Sequence, residues 1–304
     1  MPRYTARMGD TTDARVALLK GLFDYAGLFP PAALTMERAV AEYLRHKNGP
    51  EGWMVGPFVC PARRLNELAG MAGPDMSKWR VAVVIDYTDP EWVANFRAAV
   101  GAGEVFTART GARINQYETA IHTGEAMRSA IDLAARAVGD STVYFEVGET
   151  EEHRLYTIMD SLAKERDNFG PKVRVKIRTG GPGVPQPSAL ATLISAVLDH
   201  DLRAKVTAGL HSPFRRSEAH GFVNVSMAFL LGGDRTALTA ILSDTDPNSF
   251  VLTHEGLGWR GRMLATEDVA YRRFTRFSGI GTCSVEEPVE HLIALGVVGS
   301  DSLG

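Results

Sequence analysis

Two lysines on consecutive candidate strands are the residues in this chain best suited to covalent chemistry. Lys176 lies in Lys172-Val-Arg-Val-Lys-Ile-Arg178, and Lys205 in Arg203-Ala-Lys-Val-Thr-Ala-Gly-Leu210. Side chains alternate along a strand, so Val173, Val175 and Ile177 share one face while Lys172, Arg174, Lys176 and Arg178 share the other. An unprotonated lysine attacks a carbonyl carbon to form an imine, and a second ammonium nearby lowers its pKa enough for the free amine to exist. Carboxylates can then carry protons. The candidates are Glu146 in Thr142-Val-Tyr-Phe-Glu-Val147 and Glu118 in Arg113-Ile-Asn-Gln-Tyr-Glu-Thr-Ala-Ile121. The expected catalytic set is Lys176 as nucleophile or base, Lys205 as its electrostatic partner, and Glu146 with Glu118 for proton transfer.

The loops after these strands could hold an anion. In Lys176-Ile-Arg-Thr-Gly-Gly-Pro-Gly183 the glycines expose backbone N–H groups. Arg178 adds a charged fork and Thr179 a hydroxyl beside Gly180 and Gly181. The plain alternative is a turn that only joins strand to helix. The next loop runs through His211, Arg215 and Arg216 to His220 and Asn224, and the last two fall at i and i+4 on one helix turn. His220 at a helix start is equally suited to a structural role. Arg178, Thr179, Gly180, Gly181, His211, Arg215, His220 and Asn224 form the expected substrate-binding set, and the expected partner is a small anionic substrate, a phosphate or a carboxylate.

Two other readings stay open. His211 and His220 with Glu146, Glu118 or Asp86 could ligate a metal for a hydrolase or isomerase. The chain has no H-E-x-x-H motif, however, and lysines and arginines beside the site would repel a cation. No metal or cofactor is therefore expected. The other reading is a non-catalytic barrel that binds an anion or a partner. Cys60 and Cys283 cannot form a disulfide framework, and a nucleophilic Cys283 would need a depressed pKa.

The pattern Lys176-x-x-Thr179-Gly180, then Lys205-x-x-x-Gly209, resembles that of deoxyribose-phosphate aldolase and its barrel relatives among the class I aldolases. Arg178 stands where that family has a small residue. The resemblance implies a lyase working through a lysine Schiff base. A second resemblance covers nearly the whole chain. Tyr25-Ala-Gly-Leu-Phe-Pro-Pro31, Lys176-Ile-Arg-Thr-Gly-Gly181, Thr207-Ala-Gly-Leu-His211, His220-Gly-Phe-Val-Asn224 and Gly281-Thr-Cys-Ser-Val-Glu-Glu-Pro288 are similar to a bacterial TIM-barrel family without an assigned activity. It implies one barrel domain and no particular reaction.

The elements that must position these residues alternate. Apolar runs at 54–60, 80–86, 113–121, 142–147, 172–178, 203–210 and 276–281, with a further strand near 250–253, are each followed by a helical stretch. Alternating strands and helices imply a parallel sheet. Eight such units, with no dinucleotide fingerprint after the first strand, point to a closed (β/α)8 TIM barrel. The basic face of 172–178 then enters the lumen, near the strand C-termini where barrel active sites lie. Residues 1–50 read as an N-terminal helical extension and 51–304 as the barrel. The extension holds helices near 14–23 and 36–47, joined by a rigid connector over Tyr25–Pro31.

Composition is ordinary for a globular chain of 304 residues, 45% hydrophobic and 23% charged. A formal net charge of −3 leaves no basic footprint for nucleic acid. No segment has the length of a membrane span, and the polar N-terminus lacks the apolar core of a signal peptide. These features predict a cytoplasmic protein with reduced thiols and no nucleic-acid or membrane partner, with a homo-oligomer left open.

Overall fold

The computed structural model describes residues 11–71, 73, 75–85, 91–121, 124, 126–181 and 183–299. Eight parallel strands close into a barrel: β1 (Phe23–Tyr25), β2 (Val55–Pro61), β3 (Arg80–Val84), β4 (Arg113–Ala120), β5 (Thr142–Glu146), β6 (Val173–Arg178), β7 (Ala204–Thr207) and β11 (Phe277–Thr282). The last strand pairs with both β7 and β1, which completes the ring. Helices alternate with these strands. They are α1 (Ala14–Leu19), α2 (Met36–Lys47), α3 (Leu65–Gly70), α4 (Trp92–Thr110), α5 (Met127–Ala137), α6 (Glu152–Phe169), α7 (Pro187–Asp199), α8 (Phe222–Leu231), α9 (Arg235–Ser243), α10 (Thr266–Thr275) and α11 (Glu286–Ala294). The architecture is a TIM barrel. Among the described residues no helix is long and apolar enough to cross a membrane.

Two strands differ from the sequence reading. The barrel begins at Phe23, inside the segment read as a helical extension ahead of residue 51. Phe23, Asp24 and Tyr25 are all buried, and β1 sits between β2 and β11. Three residues with a central aspartate carry too little periodicity to announce a strand, and only pairing on both sides makes them one. It follows that Cys60 on β2 and Cys283 after β11 are not on neighbouring strands. Conversely, Phe250–Leu252 does not enter the barrel. It is β8 of an antiparallel sheet with β9 (Gly256–Trp259) and β10 (Arg262–Ala265). The short link from Leu252 to Gly256 permits only a hairpin, because a parallel return needs a long crossover.

The alternation along the barrel strands separates two kinds of interior. Val143 and Phe145 on β5, and Val173, Val175 and Ile177 on β6, are buried in the layer between strands and helices. The intervening residues enter the lumen, where the buried charged residues Asp24, Glu118, Lys176 and Lys205 are found. Helix α8 is buried at every position, consistent with a sequence apolar on all sides but for Asn224 and Ser226, because α9, α10 and β9 cover what the barrel does not. Helix α1 is capped by Asp13, whose side chain accepts from the N–H groups of Arg15 and Val16. It ends just before β1, at the N-terminal end of the barrel, while the connector after β1 places Phe29, Pro30 and Pro31 on the wall of the opposite mouth.

Candidate active site

The lumen carries a chain of alternating charges. Lys205 Nζ forms ion pairs with Asp24 of β1 and, at 2.7 Å, with Glu118 Oε1. Glu118 Oε2 accepts from Lys176 Nζ at 2.8 Å, and Lys176 also reaches Glu146 Oε2 at 3.0 Å. Arg178 Nε donates to Glu146 Oε1 at 3.0 Å. Gln116 completes the lower end, donating to Asp24 Oδ2 at 2.8 Å. Strand register explains the assembly: Glu146, Lys176 and Lys205 are successive partners across β5, β6 and β7. Three carboxylates alternate with three cations, so each buried charge has an opposite neighbour and the desolvation cost is offset.

Burial alone would raise the Glu118 pKa, but the charges of Lys176 and Lys205 outweigh it and hold the carboxyl at about 2. Burial likewise pushes Glu146 up, and Lys176 with Arg178 brings it below the usual carboxylate range. Burial pulls Lys205 down, yet Asp24 and Glu118 raise it above the ordinary lysine value. Lys205 is thus a fixed cation.

The C-terminal mouth opens into a cavity of about 690 Å³, a size suited to a small ligand. Lys176 and Glu118 lie at its floor, Arg178 and Gly181 at its rim, and His211 and Cys283 on its wall. Lys205 does not line it; it lies below and shares the Glu118 carboxylate with Lys176. The structure therefore brings together Lys176, Lys205, Glu118, Glu146 and Arg178, with Gly181 and His211 beside them.

The remaining predicted residues hold loops. Thr179 Oγ1 lies within hydrogen-bond distance of the carbonyl oxygens of Thr207, at 3.1 Å, and Ala208, at 2.8 Å, clamping the loop after β6 to the loop after β7. Gly180 permits that approach: a Cβ there would lie 2.7 Å from backbone atoms of Ala208 and Gly209. His220 Nε2 meets Pro185 O at 2.7 Å and its Nδ1 faces Arg215 at 3.3 Å. Asn224 accepts from Arg215 N and donates to the carbonyls of Ile241 and Asp244. Arg215, His220 and Asn224 are not among the cavity-lining residues.

Reading the sequence missed three participants. Asp24 pairs with Lys205 and Gln116 holds Asp24; Asp24 sat in a segment not recognised as a strand, and a polar residue between Phe23 and Tyr25 was the available signal. Glu287 was the third: its Oε2 lies 3.3 Å from His211 Nδ1, and His211 Nε2 lies 3.8 Å from Cys283 Sγ. Burial raises the Cys283 thiol, which opposes thiolate formation. Cys60 is buried and pushed up to about 12. Among the described residues no group of three or more His, Cys, Asp or Glu is arranged to hold a metal ion. Glu118 and Glu146 face ammonium groups instead, His220 bonds to backbone, and Asp86 lies outside the described residues.

No family model and no curated protein matches the sequence. Among solved structures, the deoxyribose phosphate aldolase of Aeropyrum pernix, described as a tetramer, aligns with 94% of this chain and 100% of its own, with a TM-score of 0.52 and 14% identity. At that identity the likeness is one of fold, a closed parallel barrel.

Proposed function

We propose that this protein is a lysine-dependent lyase or isomerase acting on a small anionic carbonyl compound at the C-terminal mouth. The observation that carries the reading is Lys176 Nζ at the cavity floor, within 2.8 Å of Glu118 and 3.0 Å of Glu146. In the lyase form, the Lys176 ammonium gives a proton to Glu146, 3.0 Å away, and the free amine adds to the substrate carbonyl. The carbonyl oxygen takes that proton, then a second one that the attacking nitrogen loses through the same carboxylate, and leaves as water, which gives the protonated imine. The electron pair of the scissile carbon–carbon bond then flows into the imine as a carboxylate takes the proton of the departing hydroxyl. In the isomerase form, the Lys176 amine removes the proton beside the carbonyl. Lys205 keeps Glu118 ionised in both. Arg178 and the Gly181 backbone at the rim suit the anionic group of the substrate.

Borohydride reduction in the presence of deoxyribose phosphate, pyruvate or glyoxylate, read by intact mass, tests the imine. The expected result is an adduct in the full chain that is lost in Lys176→Ala. Turnover of a carbonyl substrate with no adduct would leave only the proton-transfer form. We further infer a cytoplasmic location from the two unpaired thiols, and a homo-oligomer that covers exposed Met263 and Tyr271.

A further inference from the structure

A second cavity, of about 850 Å³, lies at the opposite end of the barrel, where the strands begin. Six cations line it: Lys20, Lys47, Arg80, Arg174, Arg203 and Arg273. Among the described residues that line it, the only carboxylate is Asp24, which is bound to Lys205 and Gln116. This end therefore lacks the charge balance found at the mouth.

The three arginines at its centre meet neutral groups. Arg273 is 8% exposed and donates to the carbonyl oxygens of Leu18, at 3.0 Å, and Phe277. Arg174 donates to Pro171 O at 2.8 Å, Tyr144 Oη at 3.1 Å and Ser278 Oγ at 3.4 Å. Arg203 lies over the Phe274 ring, and its buried Nε has no hydrogen-bond partner among the described residues. Asn115 Oδ1, on the same wall, is also buried without one. Burial and the neighbouring Arg174 pull Arg203 down to about 9, and burial brings Arg273 to about 10. Burial would raise the Tyr144 phenol, yet Arg174, Arg203 and Lys205 together lower it. The Tyr144 shift registers the positive charge gathered here, and the two arginine shifts register chiefly the cost of burying it.

Burying guanidinium groups without counter-charge is costly, and the cost is relieved when an oxyanion takes their donors. Planar guanidinium groups match phosphate oxygens in pairs. The exposed Phe274 ring and Trp53 on the wall offer an apolar surface for the body of a ligand.

We propose that the N-terminal end of the barrel is a binding site for a phosphate-bearing small molecule, its phosphate held by Arg174, Arg203 and Arg273 and approached past Lys20 and Arg80. The site is separate from the Lys176 cavity and stands or falls apart from the lyase reading.

Inorganic pyrophosphate is the probe, added to the full chain and followed by calorimetry and by thermal unfolding at constant ionic strength. Saturable binding with a rise in Tm is expected, together with weakening as sodium chloride is raised. The double variant Lys20→Ala, Arg80→Ala removes two exposed charges and should fold. It is expected to bind roughly tenfold more weakly, and Arg203→Gln more weakly still. Lys176→Ala and Arg178→Ala, at the other end, should keep this saturable binding, whatever they lose at the mouth. Absence of saturable binding would overturn the proposal. So would equal binding by the double variant, or loss of binding in the two mouth variants.

Discussion

Lys176 and Lys205 occupy the same register on adjacent strands, yet their ammonium groups meet on opposite oxygens of one carboxylate, that of Glu118. Lys205 therefore acts on Lys176 through an intermediary. Only Lys176 reaches the mouth cavity, which separates a lysine available to substrate from one that sets the charge beneath it.

Lys176→Arg is the sharper companion to Lys176→Ala. A guanidinium can keep the ion pairs to Glu118 and Glu146 but cannot form an imine. The borohydride adduct should vanish in both variants, while the arginine variant should unfold closer to the parent in urea. Turnover should fall by roughly 10²-fold or more, the scale expected for loss of a positioned acid–base group alone. If Lys176→Ala left a demonstrated ligand-dependent effect intact, the protein would belong to the non-catalytic class.

Glu118→Gln leaves two buried ammonium groups sharing a neutral amide. Removing one partner of a buried ion pair costs roughly 3–5 kcal/mol, so the urea midpoint should drop by the equivalent amount. The pH dependence follows with a definite sign. The Glu118 carboxyl titrates at about 2 when folded, against a reference of 4.5. Its contribution is therefore fully present above pH 4.5 and is lost as pH falls toward 2. Acid titration of unfolding free energy should be shallower in Glu118→Gln than in the parent across that window; identical slopes would remove Glu118 as the linked group.

Gly180 tests the junction of the two loops. A Cβ at this position would sit 2.7 Å from backbone atoms of Ala208 and Gly209, so one loop must move. Gly180→Ala should lower stability by about 1–3 kcal/mol, as overpacked sites do, and weaken anion binding at the mouth. Gly148→Ala is the control, since its Cβ would meet nothing within 4 Å. Thermal melts of the pair decide the matter, and equal Tm values would show that the junction yields freely.

Cys283 distinguishes two nucleophiles at one cavity. Its thiol is raised by burial and faces His211 at 3.8 Å, longer than an effective proton-transfer contact. Cys283→Ser should retain turnover within a few-fold, and iodoacetamide should react slowly at neutral pH. Rapid alkylation with loss of activity would move the chemistry from lysine to thiol.

The basic face of β6 was legible because a buried parallel strand is normally apolar throughout, and Arg174, Lys176 and Arg178 violate that expectation at every second position. Lys205, Glu146 and Glu118 followed from the same alternation. His220 and Asn224 were equally visible as a polar pair, but residue type could not show that backbone carbonyls and an amide already engage them.

By itself, then, the sequence determined the alternation of strand and helix, the closed parallel barrel, and which charged residues turn inward. Those depend on local periodicity, which each segment carries within itself. Only the tertiary structure decided that Phe23–Tyr25 completes the ring, that residues 250–252 leave it, and that one carboxylate joins the two lysines. It also decided that the arginines at the base face no free carboxylate among the described residues that line the cavity. These outcomes depend on pairing and charge balance between residues far apart in the chain, and no local pattern encodes the distance between them.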